Sequence, residues 1–510
     1  MNKGFVALVG AGPGDLGLLT IRGMEYIKKA DVVVYDRLVS KDILNLIPEN
    51  AVKLDVGKES SNHLVEQDKI NEILLSEAME GKTVVRLKGG DPFLFGRGGE
   101  ELELLEKNGI SFEVVPGISS AVSVPAYAGI PVTHRDFCSS VHIVTGHQKA
   151  NEPLNIDFDA LVKTGGTLVF LMGVSSLRQI TDALIAAGMD KCVPAAVIEN
   201  GTRPDQRKIV ATLESLYENA CKNKIKSPSI IVVGEVCSLS EKYDWFSKRP
   251  LFGKKIIVTR PKISGNSLSK KLKEIGAEVY DYPCIEINEI PVNERMEKAL
   301  EHISEYSWLV FTSKNGVNIF FDYLKKKRKD FRFLKDVKIA AIGSQTSDTL
   351  AQYGIYADFM PEKYDGKSLS EGLCKIAMQH EKILLLRALK GSEEIIGVLK
   401  ENHMEFDDIG IYDTVYTSTH RQEMKTLVEN SRELTVTFTS ASTVEGFVKS
   451  LDTVDLSKVT GICIGDQTAQ VAQKYGIKHY ISAEATIDSM ILKIKELMCE
   501  HGNQTTKTEE

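Results

Sequence analysis

Val85-Arg86-Leu87-Lys88-Gly89-Gly90-Asp91-Pro92-Phe93-Leu94-Phe95-Gly96-Arg97-Gly98-Gly99-Glu100-Glu101 sets five glycines among charged residues directly after a strand-like run at 83–88. Beyond that strand the segment reads as neither helix nor core strand, because so many glycines weaken both. Loops of this kind carry function more often than packing. Around it, β-branched runs at 5–9, 31–35, 112–115, 140–145, 166–171, 195–198 and 230–233 alternate with amphipathic stretches. Such alternation specifies an α/β fold.

The 510 residues exceed what one core organises, and at roughly 100–200 residues per domain they predict about three or four domains. A net charge of −7, from 63 basic and 70 acidic residues, gives no global field for nucleic acid or an anionic membrane. An anionic substrate must therefore be met locally. The eight cysteines form no C-x-x-C pair, against both a disulfide framework and a zinc site. No metal is expected. No apolar run approaches the roughly 18 residues of a membrane span, no signal peptide is recognisable, and the cytoplasm is the expected location.

Residues 1–240 form the first α/β region, with a break between two subdomains expected near 137–140. Residues 241–253, holding Trp245, Phe246, Arg249 and Pro250 without apolar periodicity, read as a linker, and the polar residues 501–510 as a disordered tail. The C-terminal half contains a repeat. Lys255-Ile256-Ile257-Val258-Thr259-Arg260 recurs as Lys382-Ile383-Leu384-Leu385-Leu386-Arg387, and Phe311-Thr312-Ser313 as Phe438-Thr439-Ser440, both 127 residues later. Ile342-Gly343-Ser344-Gln345-Thr346 recurs as Ile464-Gly465-Asp466-Gln467-Thr468 at an offset of 122. Three segments in one order at nearly one offset indicate an internal duplication.

Val9-Gly10-Ala11-Gly12-Pro13-Gly14-Asp15 follows a strand and nearly matches the dinucleotide fingerprint, with Asp36 available for a ribose. A nicotinamide oxidoreductase is therefore one reading. Asp15 in place of the third glycine and the rigid Pro13 oppose it. Three further segments follow: Val115-Pro116-Gly117-Ile118-Ser119-Ser120-Ala121, continued by Thr133-His134-Arg135; Leu171-Met172-Gly173; and Glu199-Asn200-Gly201-Thr202.

Together, in this order, these segments resemble the uroporphyrinogen-III C-methyltransferases of the tetrapyrrole methylase family, over residues 3–240. The resemblance implies two α/β domains forming a cleft for S-adenosylmethionine, and a homodimer. It places the cofactor against Pro13, Gly89, Gly90, Asp91, Leu94, Ser119, Ser120, Met172 and Gly201, with Ser119-Ser120 replacing the more usual Thr-Ala. Asp36 and Lys58 match the family's proton acceptor and donor, although a helix cap and a solvated lysine are the alternatives from the residues alone. Methyl transfer from a sulfonium needs alignment rather than a metal. Because every pyrrole of the substrate bears carboxylates, Arg37, Arg97 and Arg135 are its expected clamps; Arg86, Lys88, His134 and His147 also fall in these loops.

Residues 254–500 resemble uroporphyrinogen-III synthases, through Ile257-Val258-Thr259-Arg260-Pro261, Phe311-Thr312-Ser313-Lys314-Asn315-Gly316 and the Gly-x-x-Thr turns. The resemblance implies two flavodoxin-like lobes, the first from 254–284 and 417–499, the second from 288–410. Thr312, Ser313, Gly343, Thr346, Thr439, Ser440, Ser442, Gly465 and Thr468 would bind a polyanion at strand ends ahead of helices. Tyr412 matches the tyrosine that assists loss of hydroxide from hydroxymethylbilane, or it is a hinge residue. The two resemblances together imply a bifunctional enzyme. It would close hydroxymethylbilane with inversion of ring D, then methylate uroporphyrinogen III at C2 and C7 to precorrin-2 for cobalamin and sirohaem. A non-catalytic tetrapyrrole- or nucleotide-binding regulator is the reading from a different class.

Overall fold

Strands buried on both faces tolerate almost no polar side chains, and the first strand, β1 (Phe5–Gly10), shows why the sheet here is central: Val6 and Leu8 pack into one layer of helices, Ala7 and Val9 into the other. The computed structural model describes residues 3–57, 67–146, 154–260, 267–291, 294–417, 421–431, 433–451 and 454–505. The chain divides into two compact units, Met1–Lys254 with Lys271–Glu278, and Lys255–Lys270 with Val279–Glu510.

In the first unit β1, β2 (Val32–Tyr35), β3 (Val52–Asp55), β4 (Thr83–Lys88) and β5 (Ser111–Val115) form a parallel sheet in the order β3-β2-β4-β1-β5. A parallel sheet presents all its strand C-termini on one edge, so the loops after β1, β2, β4 and β5 converge there. A second, mixed sheet comprises β6 (Val141–Thr145), β7 (Thr167–Leu171), β8 (Pro194–Glu199), β9 (Arg207–Thr212) and β10 (Ser229–Val233), in the order β6-β7-β10-β8-β9. Only its β6–β7 pair is parallel.

Three sequence expectations are corrected here. The helix Ser120–Tyr127 buries Ala121 and Val124 against Val169, Ile198 and Val232 of the second sheet. The break between subdomains therefore follows β5 rather than lying near 137–140. Residues 241–253 are not a free linker: Phe246 is 2% exposed, its ring is 4.7 Å from that of Tyr127, and Trp245 donates to the carbonyl of Ala126 at 3.1 Å. Lys208 holds Asp244 at 2.9 Å. Finally, the helix Ile487–Thr505 carries 501–505, of which a disordered tail was expected. Met490 and Ile494 bury its first turns, and propagating a nucleated helix is cheap.

The second unit has two parallel-cored sheets. One contains β11 (Lys255–Val258), β12 (Glu278–Asp281), β18 (Leu434–Phe438), β19 (Val459–Cys463) and β20 (Lys478–Ile481), ordered β12-β11-β18-β19-β20. The other contains β13 (Ile285–Glu289), β14 (Tyr306–Phe311), β15 (Lys338–Ala341), β16 (Lys382–Ala388) and β17 (Phe406–Tyr416), ordered β13-β17-β16-β14-β15. The duplicated segments occupy equivalent places in the strand order: β11 and β16 pair with β18 and β14, which pair in turn with β19 and β15. Gly343 and Gly465 even share φ −175° and ψ 177°. β13 runs antiparallel to the second half of β17, and these two extended strands connect the lobes.

Residues 1–254 expressed alone should unfold in one cooperative transition, and Phe246→Ala should cost that piece about 3–5 kcal/mol in urea titration. A loss below about 1 kcal/mol would return 241–253 to the status of a spacer.

Candidate active sites

At the C-terminal edge of the first sheet, three loops meet backbone to backbone. The amide of Gly12 donates to the carbonyl of Gly90 at 3.1 Å, and the amide of Gly90 returns a bond to Gly12 at 2.8 Å. A side chain at Gly117 would run into the carbonyl of Gly90. Gly90 has φ +69°, a conformation that favours glycine, and the direction its Cβ would take is open space. Asp91 shapes its own loop and ties it to the loop after β5: one carboxylate oxygen accepts from the amides of Phe93 (2.8 Å) and Leu94 (3.0 Å), the other from Gly117 (3.0 Å). Its side chain is thus committed to the protein.

The second sheet contributes Met172 and the turn 200–202. Of eight non-glycine residues with positive φ among the described residues, five lie in these motif loops: Phe95, Arg97, Met172, Asn200 and Thr202. Such strain persists where surrounding structure imposes it, and it clusters at binding sites. Here the imposing contacts are visible. Thr202 donates its amide to Gln206 at 2.8 Å and accepts from the amide of Asp15 at 3.3 Å. Tyr127 donates to Asp15 at 2.9 Å; burial, then the Asp15 charge, holds its phenol above the usual range. Gly201 packs on Val124 with no room for a side chain, and Ser119 caps the helix that Ser120 begins.

Beneath this rim lies a buried charge cluster. Arg86, 2% exposed at its side chain, donates to Asp36 at 2.6 Å and to Glu101 at 3.1 Å. Lys88 donates to the same Glu101 oxygen at 2.7 Å, and Glu101 is fully buried. Burial, then the Arg86 charge, pushes the Lys88 amine down. Two cations and two carboxylates balance, leaving Asp36 as the member whose side chain reaches solvent, at 30% exposure.

In the second unit a cleft of about 170 Å³ lies between the lobes. It is lined by Arg260, Ile285, Ile287, Lys314, Asn315, Asn318, Gln345, Thr439, Ser440, Thr443 and Ile464. Ser313, beside Lys314, caps the helix Lys314–Lys326 by accepting from Gly316 at 3.1 Å, and its hydroxyl lies 2.8 Å from that of Tyr412. Burial pushes the Tyr412 phenol up while the Ser313 bond opposes it, so the phenol keeps its proton.

Residues 6–217 match the family of Tetrapyrrole (Corrin/Porphyrin) Methylases and residues 266–492 that of Uroporphyrinogen-III synthase HemD. A "Porphyrin biosynthesis protein HemD" of Ruminiclostridium josui is 53% identical over 497 residues, covering 98% of this chain and 99% of the relative. This chain is a tetrapyrrole methylase fused to a uroporphyrinogen-III synthase. The fusion is also 40% identical over 355 residues to a uroporphyrinogen-III C-methyltransferase of Bacillus subtilis (strain 168), covering 69% of this chain and 72% of the relative. A crystal structure of uroporphyrin-III C-methyl transferase from Thermus thermophilus, complexed with S-adenyl homocysteine, is 39% identical, with TM-score 0.40, over 46% of this chain and 99% of that one. The fused enzyme is a bifunctional enzyme of tetrapyrrole biosynthesis. The nicotinamide reading fails with it. In a dinucleotide fold the glycine loop opens a helix, whereas here the first long helix begins only at Ile21, and Asp36 is bound by Arg86.

Of the expected cofactor residues, Pro13, Gly89, Gly90, Asp91, Leu94 and Ser119 lie on the loops after β1, β4 and β5, Ser120 opens the helix Ser120–Tyr127, and Met172 and Gly201 follow β7 and β8 of the second sheet. The sequence treated 89–101 as loop throughout, but Gly98–Lys107 is helical. Arg97, expected to clamp carboxylates, is exposed and held by Glu100 through bonds of 2.9 and 2.6 Å. Arg37 and Arg135 are exposed, and Lys58 and His147 lie outside the described residues. In the synthase unit Thr439 and Ser440 line the cleft, but Thr346 and Thr468 do not: each is 4% exposed, packed within its own helix. Gly343 is covered by the Tyr364 ring, and Ser442 bonds Ser440 at 2.9 Å. Reading the repeat for hydroxyls missed Arg260, Lys314, Asn315, Asn318 and Gln345. The basic residues next to the repeated turns were the available signal.

Replacing Glu101 by leucine leaves Arg86 and Lys88 buried without their shared partner. The methylase unit should lose about 3–5 kcal/mol in denaturant titration, and a loss below about 1 kcal/mol would show that the cluster is balanced elsewhere.

Proposed function

We propose that the methylase unit holds S-adenosylmethionine over the Gly12–Gly90–Gly117 contact and methylates uroporphyrinogen III at C2 and C7 to give precorrin-2. The synthase unit supplies that substrate by closing hydroxymethylbilane with inversion of ring D. The observation that carries the first half is the close three-loop contact with open space above Gly90. The residues fit a ligand that approaches main chain, because amide and carbonyl groups are bare of side chains there. When bound, the sulfonium supplies a methyl group whose bonding pair leaves with sulfur, while the pyrrole carbon provides the new pair.

The chain's own groups then have defined tasks. Asp91 keeps the loops at contact distance. Met172 and the 200–202 turn close the opposite wall. Asp36, held in place by the Arg86 hydrogen bond, accepts the proton that the macrocycle loses after the carbon–carbon bond forms. Lys58 remains the proton donor that the resemblance implies. In the synthase unit the Tyr412 phenol donates to the leaving hydroxyl, and Ser313 orients it. Dimerisation through the methylase unit and a cytoplasmic location complete the reading; the described residues include no helix long and apolar enough to cross a membrane.

Titration calorimetry should show S-adenosylmethionine binding to the full chain and none to Gly90→Arg, whose side chain fills the open space. Retained affinity in that folded variant would sink the site. Asp36→Ala should slow methyl transfer by roughly 10²–10⁴-fold with cofactor affinity nearly unchanged. An equal loss of affinity would make Asp36 a binding group. Tyr412→Phe should slow formation of the type III isomer on the same scale, whereas a nearly unchanged rate would leave Tyr412 as a hinge residue.

A further inference from the structure

The duplication supplies its own control. Arg387 at the end of β16 occupies the position that Arg260 holds after β11, and Asp408 on β17 that of Asp281 on β12, each 127 residues on. In the second copy the pair is closed: Arg387 is 4% exposed and meets both Asp408 oxygens at 2.7 Å. In the first copy Asp281 accepts from the Ser269 hydroxyl instead. Among the described residues no carboxylate pairs with Arg260, which lines the cleft. Lys314, from the other lobe, lines it too and likewise has no acidic partner among the described residues. The lining holds these two cations, neutral amides and hydroxyls, and apolar side chains, but no carboxylate. Like charges in one partly buried cavity destabilise the empty protein, and such arrangements mark sites where a ligand supplies the missing charge.

We propose that Arg260 and Lys314 form a two-sided clamp, one cation from each lobe, for carboxylate side chains of the linear tetrapyrrole. This rests on the synthase reading above. Arg260 offers a planar fork for a carboxylate and Lys314 a point charge, while Asn315, Asn318 and Gln345 supply the neutral hydrogen bonds. The clamp is also pH-dependent. Burial, then repulsion from Arg260, lowers the Lys314 amine to about 8, and the nearby Tyr412 phenol is held neutral by burial. The other polar groups lining the cleft beside Lys314 do not titrate near neutrality. Lys314 is therefore charged below that pH and loses its charge, and its grip, above it.

The test uses the full chain with hydroxymethylbilane, reading KM, kcat and isomer composition, with methyl transfer to supplied uroporphyrinogen III as the folding reference. Arg260→Gln and Lys314→Met should each raise KM roughly ten- to hundredfold, the scale of one lost charge-assisted hydrogen bond, with kcat and methyl transfer little changed. Lys314→Arg should restore the wild-type KM and abolish the rise in KM that the wild type shows above about pH 8. KM values within twofold of wild type in both neutral variants would overturn the clamp while leaving the synthase reading intact. A wild-type chain that yields only the type I isomer would overturn that reading, and the clamp with it.

Discussion

The methylase half depends on one close approach: Gly90 against Gly12 on one side, held by reciprocal backbone bonds, and against Gly117 on the other, held by the carboxylate of Asp91. Three chain segments cannot come this near with side chains between them, and the amides that would otherwise be orphaned are satisfied by each other and by Asp91. The parallel sheet makes the approach possible because β1, β4 and β5 are neighbours and end on the same edge. Beneath it, the Arg86–Glu101–Lys88 cluster carries the cost of placing Asp36 at a solvent-reaching position. A lone carboxylate there would have no fixed orientation. Bonded to a nearly fully buried arginine, it has one.

The synthase half reaches an anion site by another route. Two copies of one module supply the same strand, turn and helix, and the copies differ where chemistry is needed. The second copy neutralises its strand-end arginine with Asp408, which suits a structural role. The first leaves Arg260 facing the cleft, opposite Lys314. Duplication thus built a symmetric scaffold, and divergence of one ion pair made it asymmetric.

Much of this was legible in the sequence, for physical reasons. The glycine-rich loops, the alternation of strands with amphipathic helices and the repeated strand ends are local patterns, and they located both halves. Strands β3 and β9 were missed because both are edge strands, largely exposed, whose residues lack the apolar run that marks a buried strand. The packing of Trp245 and Phe246 onto Tyr127 joins residues more than a hundred positions apart, which no local pattern reports. Thr346 and Thr468 looked like ligands because they follow glycines at helix starts, yet the helical turn rotates them inward and leaves Gln345 at the cleft. Arg260 ends a strand motif, and that placement alone does not mark it as a ligand. Its significance lies in a carboxylate, Asp281, that accepts from Ser269, a contact that no local sequence pattern reports.

The central claim is that one chain performs two consecutive steps on one tetrapyrrole. The most direct measurement is an anaerobic incubation of the intact chain with hydroxymethylbilane and isotopically methyl-labelled S-adenosylmethionine, with products resolved by chromatography and mass spectrometry. The account predicts a type III product carrying two labelled methyl groups. Type III product without label, or labelled product only when uroporphyrinogen III is supplied ready-made, would contradict it.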